Sequence, residues 1–159
     1  MNKFRPATYA VYKGKGAMQF NLKPAQLPRE VAEGKIPVME EGKIFIEAAN
    51  ATGARQYDWS KKATIALNVN DIGKLLQGFK DGEANLLHAK FAGTERAKEH
   101  YSSLKLALGQ DGKSYLWSFT IKNQSEPEKN THVSLFTDLA ETRVINNLFE
   151  ASISKLLGW

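Results

Sequence analysis

Three groups of residues have the types and spacing to grip an extended polyanion. Tyr12, Lys13 and Lys15 fall together, with Gly14 between the lysines. Arg55, Trp59, Lys61 and Lys62 crowd into the run Arg55-Gln56-Tyr57-Asp58-Trp59-Ser60-Lys61-Lys62. Lys43 and Phe45 are two apart, the spacing that puts both on one side of a strand, opposite Ile44 and Ile46. Binding a single nucleic-acid strand without sequence preference needs this mixture, cations along the phosphates and flat rings under the bases. Phosphate contact falls to Lys13, Lys15, Lys43, Lys61 and Lys62, and stacking to Tyr12, Phe45 and Trp59. Arg55, Lys105 and Lys122 complete the candidate nucleic-acid-binding set.

Other chemistries lack their residues. His88, His100 and His132 are scattered, no two of them four apart, and the chain has no Cys, so neither a cysteine zinc site nor a disulfide can form. Gly112-Lys113-Ser114 resembles the end of a phosphate-binding loop, but Ala107 stands where that loop needs its first glycine. Glu40, Glu41 and Asp58 offer carboxylates without a spacing that pairs them. No catalytic residue, metal or cofactor is assigned, and an enzyme is not expected. No helix rich in Arg, Asn and Gln is present to read a major groove, so duplex DNA is not the expected ligand.

Charge sharpens the picture. The 159 residues carry a net +5, and the excess lies wholly in residues 1–62, which hold 11 basic and 6 acidic side chains. A localised basic surface fits nucleic acid better than a membrane, because no basic amphipathic helix accompanies it. No run of about 18 apolar residues exists to span a bilayer. The residues after Met1 are polar and lack a signal-peptide core, so an intracellular protein is expected. On that reading the sequons at Asn50 and Asn123 are chance matches.

These side chains must be positioned by strands, whose patterns dominate the chain. Thr8 to Lys13 is β-prone and ends at Gly14-Lys15-Gly16. Met18, Phe20 and Leu22 alternate with polar residues, as do Ile44, Ile46 and Ala48, then Ala63, Ile65, Leu67 and Val69. A short helix carrying Ile72, Leu75, Leu76 and Phe79 follows, capped by Asn70 or Asp71 and ending near Gly78. The second half repeats the order: a strand over 83–91, a hairpin, a strand over 131–136 and a long helix. Asp111-Gly112 predicts a two-residue type I′ turn that sets Leu108 opposite Tyr115, Leu106 opposite Trp117 and Leu104 opposite Phe119. Tyr115 and Trp117 are expected to be packing residues, while Lys105, Ser118, Thr120 and Lys122 share the other face. Asp138 and Glu141 have capping-box spacing, and Ile145, Leu148, Phe149, Ser152 and Leu156 mark one helical face before Gly158. The fold class is α+β, ββββα given twice, in one domain over 1–159.

Four landmarks in this frame carry a family resemblance. Lys13-Gly14-Lys15-Gly16-Ala17-Met18 resembles the K-G-K-A-A-L signature of the Whirly family of single-stranded DNA-binding proteins. Gly53 to Lys62 resembles that family's G-V-R-Q-Y-D-W-S-R-K segment, Val69 to Gly73 its strand-to-helix junction, and Leu156-Leu157-Gly158-Trp159 its L-I-G-W ending. The resemblance implies two four-stranded antiparallel sheets, each followed by a helix, in a four-fold homotetramer with central helices. It implies single-stranded DNA lying along the sheets and between protomers, in support of replication, recombination or repair. The family's lysine–glycine motif serves binding and the assembly of tetramers into larger particles, roles that fall to Lys13 and Lys15. Gly16 and Met18 replace its Ala and Leu, and Gly loosens the strand start. Plant members carry organelle transit peptides, and none is visible here, so the resemblance implies a bacterial or phage-borne member, cytoplasmic in a bacterial or phage-infected cell. Two alternatives stand beside this reading: an RNA-binding or annealing protein on the same fold, and a structural assembly protein with no nucleic-acid ligand.

Overall fold

A computed structural model describes residues 8–90 and 92–159. Strands β1 (Tyr9–Tyr12), β2 (Gly16–Lys23), β3 (Lys43–Gly53), β4 (Gln56–Tyr57) and β5 (Ala63–Leu67) lead into helix α1 (Val69–Asp81). Strands β6 (Glu83–Ala89), β7 (His100–Leu108), β8 (Tyr115–Asn123) and β9 (Thr131–Thr137) lead into helix α2 (Leu139–Leu157). All pairings are antiparallel. In the first sheet β3 is central, with β2 and then β1 on one side and β5 and the short β4 on the other; the second runs β6-β7-β8-β9.

Alternation sorts each strand into two faces. Val11, Met18, Phe20, Ile44, Ile46, Ala48, Ile65 and Leu67 are buried inward from the first sheet, and Leu86, Leu104, Leu106, Trp117, Phe119, Val133 and Leu135 from the second. Ile72 and Leu75 of α1 and Ile145, Phe149 and Leu156 of α2 complete one continuous core. The rings of Phe20, Phe79, Trp117 and Phe149 meet there with centroids 5.9–6.3 Å apart, joining β2, α1, β8 and α2. Tyr115 and Trp117 are buried as expected, and their polar atoms are satisfied: Tyr115 Oη donates to the Phe79 carbonyl and Trp117 Nε1 to Thr137 Oγ1.

The elements depart from the sequence expectations at four places. Val69 opens α1 instead of closing β5, because Asn68 is the N-cap: its side chain accepts from the Asp71 N–H while Asp71 accepts from the Asn68 N–H. The helix runs through Gly78 and stops at Gly82, whose φ of 87° suits a residue without Cβ and whose N–H caps the Gly78 carbonyl. The 104–119, 106–117 and 108–115 pairs form as expected, but the turn is wider than two residues. Gly109 pairs with Ser114, Asp111 has ordinary backbone, only Gly112 is left-handed (φ 68°), and the Asp111 carboxylate accepts from the Lys113 and Ser114 N–H groups. Any even-length loop centred on 111–112 gives the same register, so the register survives the error in the turn. On α2 the Asp138–Glu141 capping box forms, but Leu148 is 42% exposed and leaves the inner face to Thr142. Phe91, the expected end of β6, lies outside the described residues.

Candidate nucleic-acid interface

The outward face of the first sheet is the one that β1, β2, β3 and β5 turn away from the core. Its register lines up Lys23 with Lys43, Asn21 with Phe45 and Ala66, Gln19 with Glu47 and Thr64, and Tyr12 with Ala17 and Ala49. Ala17 and Ala49 face outward yet have no exposed surface. They mark a closely covered part of the face, beside a run of three aromatic rings. Tyr12 and Tyr57 have centroids 5.6 Å apart, and Tyr57 and Trp59 6.5 Å. Tyr12 is 60% exposed, and Tyr57 and Trp59 are half-buried.

Local chemistry holds this row. Tyr57 Oη donates to the Lys13 carbonyl at 2.9 Å, tying β4 to the β1–β2 turn, and Ala51 N–H donates to the Lys15 carbonyl. Arg55 has a φ of 58°, a left-handed conformation uncommon for a residue with Cβ, and it turns the chain from β3 into β4. Trp59 and Lys61 lie in the 3-10 turn Trp59–Lys61 that leads to β5. Tyr12, Lys13, Arg55, Tyr57 and Trp59 line an open cleft of about 950 Å³.

The cations behave differently from one another. Lys13 Nζ lies 2.5 Å from Glu141 and 3.8 Å from Asp138, so it sits on the capping box of α2. Lys62 Nζ lies 2.5 Å from Glu47. Lys15, Lys43, Arg55 and Lys61 are exposed and form no ion pair with the described residues. Lys105 and Lys122 are likewise exposed on the outward face of the second sheet, and the register does not bring them into the aromatic row. That second face is rich in hydroxyls: His132 bonds Thr120 through Nδ1 and Ser134 through Nε2, both at 3.0 Å, and Ser134 donates to Ser118. Phe45 is half-buried, with Asn21 and Ala66 beside it in register on this face.

Three members of this surface were missed in the sequence. Lys23 stands directly opposite Lys43, a like-charge pair that destabilises a sheet unless an anion relieves it. Alternation already put Lys23 on the polar side of β2, but only the β2–β3 register makes it a partner of Lys43. Tyr57 supplies the middle ring of the row. Glu47 collects Gln19 and Lys62, each at 2.5 Å. Burial opposes ionisation of its carboxyl, but the Lys62 and Gln19 hydrogen bonds outweigh burial and hold it below the usual carboxylate range. Among the described residues, no group of three metal-ligating side chains comes together.

Two helix-backed antiparallel sheets with an aromatic and lysine-lined outer face define a class: α+β proteins that offer a ligand a sheet surface rather than an enclosed pocket. A family model described as Whirly transcription factor matches residues 11–148, and the chain belongs to the Whirly family. It is 29% identical over 154 residues to the Zea mays protein named single-stranded DNA-binding protein WHY1, chloroplastic, covering 96% of this chain and 56% of that one. It is 26% identical over 155 residues to the Arabidopsis thaliana protein named single-stranded DNA-binding protein WHY2, mitochondrial, covering 96% and 63%. The chain thus spans little more than half the length of these relatives. The solved structure of the plant transcriptional regulator PBF-2 superposes with a TM-score of 0.83 at 25% identity, covering 96% of this chain and 83% of that one. That of WHY3 from Arabidopsis thaliana gives 0.81 at 25%, covering 96% and 89%. These likenesses bear out the double ββββα architecture, with β4 as a two-residue addition. They contradict a cytoplasmic bacterial or phage setting, since the relatives are chloroplastic or mitochondrial plant proteins. That expectation rested on the residues around Met1, which carry no such information in a stretch shorter than its relatives.

Proposed function

We propose that this chain binds single-stranded DNA with little sequence preference, as a non-enzymatic homo-oligomer acting in replication, recombination or repair. The observation that carries this reading is the row of exposed Tyr12 and half-buried Tyr57 and Trp59 along an open cleft, set among Lys15, Arg55 and Lys61, cations with no ion pair among the described residues. Flat rings accept any base, and uncommitted ammonium and guanidinium groups accept any phosphate, so the surface suits a strand rather than a sequence. The opposed Lys23 and Lys43 continue the cationic track along β2 and β3, about 20 Å from the rings at strand rise. Relatives named single-stranded DNA-binding proteins support the same ligand. The oligomer is supported by α2, where Ala140, Val144, Leu148 and Ala151 form an exposed, mainly apolar stripe at helical spacing. Repeating one strip per protomer raises avidity without new contacts.

The test is titration of the protein with an unlabelled oligonucleotide, following Trp fluorescence at several salt concentrations. Quenching that weakens steeply with salt is expected, because each neutralised phosphate contributes roughly 0.7 to the log–log slope on single strands. Absent or salt-independent binding would overturn the reading. Competition with RNA of the same sequence measures the preference between the two polymers.

A further inference from the structure

A carboxylate is out of place in the middle of a strip that attracts phosphates, yet Glu47 stands there. It shares the outward face of β3 with Lys43 and Phe45, and Phe45 precedes it by one outward position. Its side chain is 17% exposed, so it is neither buried structural ballast nor a freely solvated surface charge. Gln19 Nε2 donates to Oε2 and Lys62 Nζ to Oε1, each at 2.5 Å, fixing the group from both sides. A carboxylate offers about four lone-pair sites, so roughly two remain after these bonds, and the Gln19 carbonyl oxygen adds another acceptor. Phosphates are repelled by such a station. Base edges are not, provided they bring N–H groups.

We propose that Glu47, held by Gln19 and Lys62, is a base-reading residue that biases this strip toward bases with an exocyclic amino group and against thymine and uracil. The inference rests on the proposed single-strand binding and deepens it. The amino group of cytosine, adenine or guanine projects from its ring and can give its outer N–H to a carboxylate. The N3–H of thymine or uracil is recessed between two carbonyl oxygens, which would meet the Glu47 oxygens head-on and leave them desolvated without a donor. A base stacked on Phe45 would present its edge to the next outward position, which is Glu47. One station reads one base among several held only by stacking and phosphate contact, so the bias is modest and overlies general binding.

The experiment compares oligo(dC) with oligo(dU) of equal length, which differ only in the 4-amino group and the N3 proton, at one salt concentration near neutral pH. A preference for oligo(dC) of about five-fold or more is expected, the low end of what one well-placed base contact gives. In Glu47→Gln, whose amide both donates and accepts, the ratio should fall toward one while affinity for oligo(dU) holds or rises. Thermal melting confirms that this variant is folded. Equal binding of the two polymers by the unaltered protein, or a ratio unchanged in Glu47→Gln, would overturn the inference and leave single-strand binding standing. Failure to bind either polymer would overturn the binding reading itself and this inference with it.

Discussion

At Lys13 and Lys15, two lysines of one short motif have different surroundings, and substitution should separate them. Lys15 is exposed with no ion pair, whereas Lys13 is pinned to Glu141 and Asp138. Lys15→Ala is expected to lower the salt slope of binding by roughly 0.7 with no change in melting temperature. Lys13→Ala should also lower the melting temperature, since it removes a cation from two acids at the start of α2. Salt-dependent titrations and thermal melts of both variants check this pair. Trp59→Ala should weaken single-strand binding about 5- to 150-fold, the range for loss of one stacking platform. Asp111 gives a pH prediction. Hydrogen bonds from the Ser114 hydroxyl, then from the Lys113 and Ser114 N–H groups, bring its carboxyl from 3.8 to about 2. The folded value lies below the unfolded one, so its contribution to hairpin stability is intact above about pH 4 and fades as pH falls toward 2. A carboxyl NMR titration should find that low midpoint, and Asp111→Asn should remove the pH dependence in this window.

At the scale of the elements, caps and close contacts decide where each helix begins and ends. Asn68 and Asp71 satisfy one another's backbone at the start of α1, so Asn68→Ala should cost about 1 kcal/mol of stability, read by denaturant unfolding. Part of this was legible: Asp138 and Glu141 announced the cap of α2 through their spacing. Asn68 did not, because Leu67 and Val69 flank it with a pattern that continues β5 equally well. What separates the two outcomes is the reciprocal Asn68–Asp71 bonding, together with Glu41, whose carboxylate accepts from the Val69 N–H across 28 residues of sequence. Inside α1, a Cβ on Gly78 would come within 2.5 Å of the Ala84 Cβ. Gly78→Ala should therefore destabilise the fold even though Ala is the better helix former, because the α1–β6 approach cannot widen cheaply.

At the scale of the whole molecule, the two sheets and two helices share one core, and its centre tolerates little. Phe149 has no exposed surface and lies against Phe20 and Phe79, so Phe149→Ala should cost about 3–5 kcal/mol, a large part of an ordinary domain's stability. The exposed stripe on α2 makes an opposite prediction. Val144→Glu should leave the protomer folded while reducing its mass in light scattering, with weaker binding of long oligonucleotides as avidity is lost. An unchanged mass would place assembly elsewhere.

Period-two alternation and the Asp138–Glu141 spacing determined the longer strands, the two ββββα halves, the start of α2 and the face most strand residues take, because those follow from local backbone geometry. They placed Lys43 with Phe45 before any partner strand was known, while the hairpin centred on Asp111-Gly112 placed Lys105 on one face with Ser118 and Thr120. Lys13-Gly14-Lys15 and the run from Arg55 to Lys62 likewise marked the surface by composition alone. Outside the hairpin centred on Asp111-Gly112, whose turn set the β7–β8 register, local patterns carry no information about which strands pair or how far one slides along another. The Lys23–Lys43 opposition, the Tyr12–Tyr57–Trp59 row, the loss of Lys13 to α2 and the Gln19–Glu47–Lys62 station all arise from contacts between segments distant in the chain. Tertiary structure decided those, because packing a shared core fixes register, and register fixes which charges and rings become neighbours.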